Sequence, residues 1–379
     1  MKGKRILCVT HRSFPMIGGI ENHVFSLYKH VSSDEKYKNY EFMNLSFNPI
    51  EDKKIFVNNN FYIISIRTFF LFGNNYPIPT VYSFFKFIVE IIKFKPDLIH
   101  THNRYVISTW IAIFYAYIFK IKTVHTEHAA NDNWFENKIV SNFSKMLDKT
   151  IARFMLKKVD ILTSVSTAVK NYLLNSFGLK STVIYNFYNA DDAYKVKKSI
   201  SRNNVHNKSS RTSVLFGGRL VSSKGYTLML DVINRYTKND LAFMIVGKGS
   251  NKVEKEIRSF CKNHKDRVTF YGELNHIEFL KKMVNSDIYL NLSYLEGLST
   301  TIMEAMFFNK KIIATKIEPN RELLRNYKNA ILVEHNVESI ISAIGKIKNS
   351  KLSKPNKDIL SLYRIDSIAK QYMKIYKKL

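Results

Sequence analysis

Glu296 and Glu304 are two carboxylates with seven residues between them, and those seven are turn and hydroxyl types: Gly297, Leu298, Ser299, Thr300, Thr301, then Ile302 and Met303. The run Asp287 to Leu292 has strand composition, Gly297 makes a turn, and a helix opens with Ile302 and Met303. A helix start presents unpaired N–H groups and the positive end of its dipole, so an anion such as a diphosphate can sit there without a metal. Carboxylates accept hydrogen bonds only, which suits them to the paired hydroxyls of a sugar or ribose. A second reading stays open at this point, because Thr301 to Glu304 also spells a capping box.

A second fragment lies upstream, Phe216-Gly-Gly-Arg-Leu-Val-Ser-Ser-Lys-Gly225. Together the two resemble the large retaining glycosyltransferase family of the GT-B fold (glycosyltransferase family 4, glycosyl transferases group 1). Its members carry a Glu, seven residues, Glu motif and an upstream Gly-Arg-Leu followed by Lys-Gly. With weaker elements the match runs from Ile6 to Tyr376.

The resemblance implies that Arg219 and Lys224 clamp the donor diphosphate, with Gly218, Gly247, Gly272, Glu273, Gly297, Leu298, Ser299 and Thr300 around the donor. It implies that Glu304 binds the ribose hydroxyls and Glu296 the donor sugar, and that Gly18-Gly19-Ile-Glu-Asn-His23 is the family's first glycine loop. His128, in Thr126-Glu-His128, resembles the family histidine beside the transferred sugar; His100 and His102 are further candidates. The catalytic set is then Glu296, His128, Arg219 and Lys224. Retention and front-face attack, in which the leaving phosphate helps to take the acceptor proton, are the family's chemistry. The sequence departs from the family at Ala129, at Asn186-Phe-Tyr-Asn189, and at Phe307 to Ile313, where Asn309 can take glycine's place at a helix end. It departs again at Glu318 to Arg325, which lacks the usual glycines.

The chain has 379 residues, enough for two domains with cores of their own, and hydrophobic and charged fractions of 45% and 24% exclude disorder. Its net charge is +28. That charge points to an anionic partner such as a membrane surface, or else reflects a composition rich in Lys, Asn, Ile, Phe and Tyr throughout. Two cysteines, Cys8 and Cys261, argue against a disulfide framework and for a reducing compartment. The residues after Met1 are too short in apolar character for a signal sequence, and Trp110 to Phe119 is too short to span a bilayer. The expectation is a cytoplasmic protein whose membrane contact, if any, is peripheral.

Strand-like and helix-period runs alternate from end to end, which gives an α/β protein. Strands are expected at Ile6–Val9, Tyr62–Ile66, Leu98–Thr101, Lys122–His125, Ile161–Val165 and Thr182–Tyr185, and helices at Glu21–His30 and Val81–Phe94. Gly18 and Gly19 read either as a plain turn or as a place where backbone approaches a ligand. The segment from Thr68 to Pro79 and the helix after it, with Lys86 and Lys93 among aromatics, reads either as core or as a membrane or acceptor surface. Lys145, Lys149, Arg153 and Lys157 make one helix face basic, either a solvated face or one for anionic lipid.

From Lys195 to Ser213 the chain is polar and cationic, which reads as a linker. Beyond it, strands are expected at Val214–Phe216, Ala242–Val246, Val268–Tyr271, Ile288–Leu292, Lys311–Thr315 and Ile331–Val333. Each candidate donor element of this half follows the carboxyl end of one of them, the edge where open parallel sheets bind ligands. The expected organisation is two Rossmann-like domains with parallel sheets facing a central cleft: acceptor domain 1–194, linker 195–212, nucleotide-sugar domain 213–360, and a helix in 361–379 crossing back to the first domain.

The expected substrates are a nucleotide sugar, uridine diphosphate preferred to guanosine diphosphate, and a glycan or lipid-linked acceptor. No cofactor and no metal are expected, since there is no Asp-x-Asp motif. A nucleotide-sugar epimerase is the alternative of the same shape. A basic nucleic-acid-binding protein would explain the charge but not the strand-end residues, and no nucleic-acid module is recognisable.

Overall fold

A computed structural model describes residues 3–15, 18–71, 76–132, 138–202, 211–354 and 360–379. The chain divides into two compact units, Met1–Asn186 with Ile365–Leu379, and Phe187–Arg364.

In the first unit, strand β1 (Arg5–Val9) is apolar without interruption and buried at Ile6 through Val9, as a parallel strand covered on both faces must be. It is followed by α1 (Gly19–Ser32), β2 (Glu41–Asn48), β3 (Lys53–Asn58), β4 (Phe61–Arg67), and a short antiparallel pair, β5 (Phe69–Leu71) with β6 (Tyr76–Ile78). Residues 72–75 of the Thr68 to Pro79 segment, like Met16 and Ile17 of the first glycine loop, lie outside the described residues. Then come α2 (Val81–Phe94), β7 (Leu98–His102), α3 (Ile107–Phe119), β8 (Lys122–Glu127), α4 (Lys138–Leu147), α5 (Arg153–Leu156), β9 (Ile161–Ser164), α6 (Thr167–Phe177) and β10 (Thr182–Val183). The sheet runs β10-β9-β8-β7-β1-β2-β4-β3, parallel throughout except for the edge strand β3.

Leu7 and Val9 point to the face covered by α2 and α3, where Phe87, Ile91, Phe94, Ala112 and Ala116 complete a core. On the other face, Tyr28 of α1 meets His100 at 2.8 Å and Tyr376 at 2.9 Å. The latter belongs to the C-terminal helix Ile365–Lys378, which buries Ile368, Tyr372 and Met373 in this unit.

Strands β2 and β3 were not among those expected. β2 alternates Asn44, Ser46 and Asn48 with apolar residues and so resembles a half-solvated segment, yet all three are buried. Asn44 donates to the Cys8 carbonyl at 3.3 Å and to the Thr10 hydroxyl at 3.1 Å, which satisfies the buried amide.

The second unit begins with α7 (Ala190–Arg202), continues through β11 (Thr212–Gly217), α8 (Tyr226–Arg235), β12 (Leu241–Val246), α9 (Asn251–Asn263), β13 (Val268–Phe270), α10 (His276–Val284), β14 (Ile288–Asn291), α11 (Thr300–Phe307), β15 (Lys311–Thr315), α12 (Glu318–Leu324) and β16 (Ala330–Val333), and ends in α13 (Val337–Lys348). All six strands expected here are present. Their order, β13-β12-β11-β14-β15-β16, is fully parallel. In sequence terms it is 3-2-1-4-5-6, the doubly wound arrangement, and it reverses between β11 and β14.

Lys195 to Arg202 is not the irregular linker expected of it. Ala190, Ala193 and Val196 recur every third residue and are buried, so a single apolar stripe holds α7 against α10 beneath its lysines. Residues 203–210 lie outside the described residues.

Candidate active site

The loops that follow β11 and β14 flank the point where the strand order reverses, and they carry both motifs. Three glycine loops are packed at this edge. Gly247, at φ 151°, donates to the Gly272 carbonyl at 2.8 Å, and a β-carbon on it would lie 1.8 Å from the Gly218 carbonyl oxygen. Gly218, at φ 141°, has open space where its side chain would be. Arg219 follows it and is exposed.

At Gly225, φ 75°, a β-carbon would stand 2.2 Å from the Leu292 carbonyl, so glycine lets this turn press against the end of β14. Tyr294 N–H donates to the Ser223 carbonyl at 2.9 Å, which fixes the two loops to each other. Lys224 Nζ then lies 2.6 Å from Glu296 Oε1, which also accepts the Ser293 hydroxyl at 2.8 Å. Thus the first carboxylate and one candidate clamp cation are partners of each other.

Helix α11 begins at Thr300, earlier than expected, and its cap is Ser299, which accepts the Ile302 N–H at 3.4 Å. Thr301 does not cap; its hydroxyl accepts from Tyr289 at 2.7 Å. Leu298 is buried beside this start, and Gly297 lies in the loop before it. The capping-box reading of Glu304 therefore fails. Its buried carboxylate instead meets His276 Nε2 at 2.8 Å, and Asp192 of α7 meets the other ring nitrogen at 3.2 Å. Burial opposes the imidazolium, yet the hydrogen bonds and charges of Glu304 and Asp192 outweigh it and raise the His276 pKa to about 9. At neutral pH an ion pair on each side fixes the ring.

His276 and Asp192 were not read from the sequence. The usable signal was Asn275-His276, a cap followed by a first-turn residue at the end of the short loop after β13; Asn275 does accept the Glu278 N–H at 2.9 Å. Glu273, after Gly272, is paired with Lys248 at 2.6 Å on the exposed rim. Asn320 of α12 bonds the Thr315 carbonyl at 2.9 Å and Asn291 at 3.4 Å behind the Ser299 cap.

In the first unit, Gly19 is the first residue of α1, and Gly18 is extended at φ −171°. The Glu21 carboxylate folds back on Gly18, where a β-carbon would meet it at 2.1 Å, and Arg12 and His11 hold it at 3.1 and 3.3 Å. His128 Nε2 lies 3.0 Å from His102 Nδ1, with the His23 ring centred 5.1 Å away. His100 is fully buried between Tyr28, Tyr376 and Thr126. Burial first, then mutual repulsion, lowers the pKa of His100, His102 and His128 well below the usual histidine value, so this cluster is neutral.

The loop bearing His128 hangs on Glu127, which accepts the N–H groups of His128 and Ala129 at 3.0 and 2.9 Å. Glu127 itself is paired with Arg104 at 3.0 Å, both side chains being fully buried, and Arg104 also holds Asp148 at 2.9 Å. Burial would raise the Glu127 pKa, but Arg104 dominates the net result and holds it at about 2. Among the described residues no group of three or more His, Cys, Asp and Glu is placed to hold a metal ion.

The family model of glycosyltransferase family 4 matches residues 17–192, and that of glycosyl transferases group 1 matches 197–359. The chain belongs to the GT-B glycosyltransferases. It is 27% identical to an uncharacterized glycosyltransferase of Methanocaldococcus jannaschii over 96% of each chain. It is 23% identical to the phosphatidylinositol N-acetylglucosaminyltransferase GPI3 subunit of Saccharomyces cerevisiae, over 95% of this glycosyltransferase and 77% of that protein. Among solved structures, sucrose-phosphate synthase from Thermosynechococcus elongatus superposes with a TM-score of 0.77 at 18% identity, covering 99% and 98% of the two chains. The Anabaena protein HepE, in complex with UDP and glucose, gives 0.72 at 15% identity, over 99% of this chain and 100% of that one. These likenesses confirm the fold of both units.

Proposed function

We propose that this glycosyltransferase moves a sugar from a nucleotide-diphosphate donor to a glycan or lipid-linked acceptor, with retention of configuration and without a divalent metal. The observation that carries the donor half is the convergence of Lys224, Glu296, Glu304 and the capped start of α11 at the switch point of the second sheet. As the bond to the anomeric carbon breaks, charge grows on the leaving diphosphate, and fixed cations with helix N–H groups stabilise it most in the transition state. Arg219 offers a planar fork to phosphate oxygens, while Lys224 exchanges Glu296 for a phosphate. That exchange releases the Glu296 carboxylate to accept hydroxyls of the donor sugar. Glu304, held by the His276 imidazolium, accepts the ribose hydroxyls through its remaining lone pairs. The neutral His128 is suited to a hydrogen bond with the transferred sugar, and the departing phosphate takes the acceptor proton.

A uridine diphosphate sugar is the preferred donor, a reading supported by the structural relative that binds UDP. The relative acting on phosphatidylinositol supports a lipid-linked acceptor and a place in cell-envelope polysaccharide or glycoconjugate assembly at the cytoplasmic membrane face.

Thermal unfolding with UDP, GDP and ADP, in wild type and Arg219→Ala, tests the donor reading. A ligand of the folded state at a hundredfold excess over its dissociation constant adds about 2.7 kcal/mol. The expected result is a rise in midpoint with UDP that Arg219→Ala abolishes; no rise with any nucleotide or intact sugar nucleotide would overturn the assignment. Transfer in excess chelator should proceed, and its complete loss would defeat the metal-independent step.

A further inference from the structure

Helix α3 is built inside out. Its small residues Ser108, Thr109, Ala112 and Ala116 face the sheet, while Phe114, Tyr117, Ile118 and Phe119 are 52 to 59% exposed. Helix α2 buries Phe87, Ile91 and Phe94 but also exposes Val81, Phe85, Val89 and Ile92, so it is apolar on both sides. A helix of that kind is normally covered all round.

Both helices lie on the Leu7 and Val9 face of the sheet, and α5 packs beside α3, with Lys158 Nζ 4.4 Å from the Tyr117 ring and 5.2 Å from that of Phe154. The run α4 to α5 adds Ile139, Phe143, Met146 and Phe154 to the outside. Of the twenty-seven exposed large hydrophobic side chains among the described residues, ten lie on α2 and α3 and five on the run from α4 to α5. With about half of a roughly 200 Å² aromatic side chain exposed at each, Tyr82, Phe84, Phe85, Phe114, Tyr117 and Phe119 of α2 and α3 alone reach the upper end of the roughly 300–600 Å² apolar patch of an ordinary monomer.

Charge decides what covers them. Lys145, Lys149, Arg153 and Lys157 run along α4 and α5 next to this apolar stripe, and the one acid between them, Asp148, is turned inward to Arg104. On these helices Lys86 and Lys93 are matched by Asp52 and Glu90 and Lys145 by Asp132 at 3.6 Å, whereas among the described residues no acid pairs with Lys149, Arg153 or Lys157. A second copy of a chain with a net charge of +28 would set cations against cations. Among the described residues no helix is long and apolar enough to cross a membrane.

We propose that the outer face of α2, α3, α4 and α5 docks on an anionic lipid bilayer, its aromatic and aliphatic side chains entering the headgroup boundary and the α4 and α5 cations meeting lipid phosphates. Resting on the donor reading above, the consequence is that the acceptor is carried by a lipid in that bilayer.

The full chain is sedimented with vesicles of phosphatidylcholine alone and of phosphatidylcholine with one third phosphatidylglycerol. It should bind the second kind, with Lys149→Glu and Arg153→Glu each weakening partition about fivefold or more. The triple variant Phe85→Ser, Phe114→Ser, Phe119→Ser should stay in the supernatant while its nucleotide-induced thermal shift is unchanged, which shows that it is folded. Wild type left in the supernatant, or a triple variant that still sediments, would overturn the proposal. So would a stable lipid-free dimer that the triple variant dissolves, since the face would then belong to a second copy. Loss of the nucleotide shift in wild type would defeat the donor reading and leave docking as measured.

Discussion

Around His128 the first unit keeps its charges out of water, with Arg104 and Glu127 fully buried, whereas at the strand ends of the second unit Lys224 and Glu296 pair at 23 and 12% exposure. The two arrangements differ in what a ligand can do to them. A buried pair cannot change partners without stranding a charge, so Arg104, Glu127 and Asp148 work as scaffold for the loop bearing His128. A partly hydrated pair on a loop can open when a phosphate offers Lys224 an equal anion. On the proposed donor reading, burial thus separates framework charge from exchangeable charge, although both involve the same kinds of residue.

The largest effect should come from breaking the framework. Arg104→Ala leaves Glu127 and Asp148 buried without their cation and should cost about 3–5 kcal/mol in urea unfolding. Lys224→Ala, which breaks the hydrated pair, should cost under about 1 kcal/mol. Equal losses in the two variants would erase the distinction.

Next is the reverse separation, in activity. Glu296→Gln preserves shape and removes the acceptor charge, and sugar transfer should fall about 10²–10³-fold with an unchanged melting midpoint. A variant that retains full transfer would leave Glu296 as a mere partner of Lys224.

The second unit was largely legible in the sequence because parallel strands buried on both faces are short apolar runs, and each is followed by the glycine or carboxylate that its position requires. Gly218, Gly225, Gly247 and Gly272 adopt positive φ, so their residue type carries geometric information. What was hidden is long-range pairing. Nothing adjacent to His276 in sequence announces Glu304 or Asp192, and nothing adjacent to Glu127 announces Asp148. Strand β2 escaped notice because buried Asn44 and Ser46 find partners on other strands, and α7 because lysines surround its one apolar stripe. The exposed face of α3 was equally hidden, since a run such as Phe114 to Phe119 does not say which side of the helix meets the sheet.

The smallest effect, and the one that tests whether the second unit's pairs are intermediate between framework and exchangeable, concerns His276. Its folded pKa of about 9 stands above the ordinary 6.5, so the stabilisation from Glu304 and Asp192 is complete below 6.5 and is lost as pH rises through 9. The side chain is 37% exposed, so screening reduces the loss to about 1 kcal/mol. Urea midpoints measured at about pH 6 and about pH 9.5 should differ by that amount in wild type, beyond any change in His276→Gln, whose amide does not titrate. UDP affinity should fall over the same window in wild type alone, because a neutral imidazole no longer fixes the Glu304 carboxylate by charge. Identical pH slopes in the two proteins would place His276 with the solvated surface histidines and leave Glu304 oriented by burial alone.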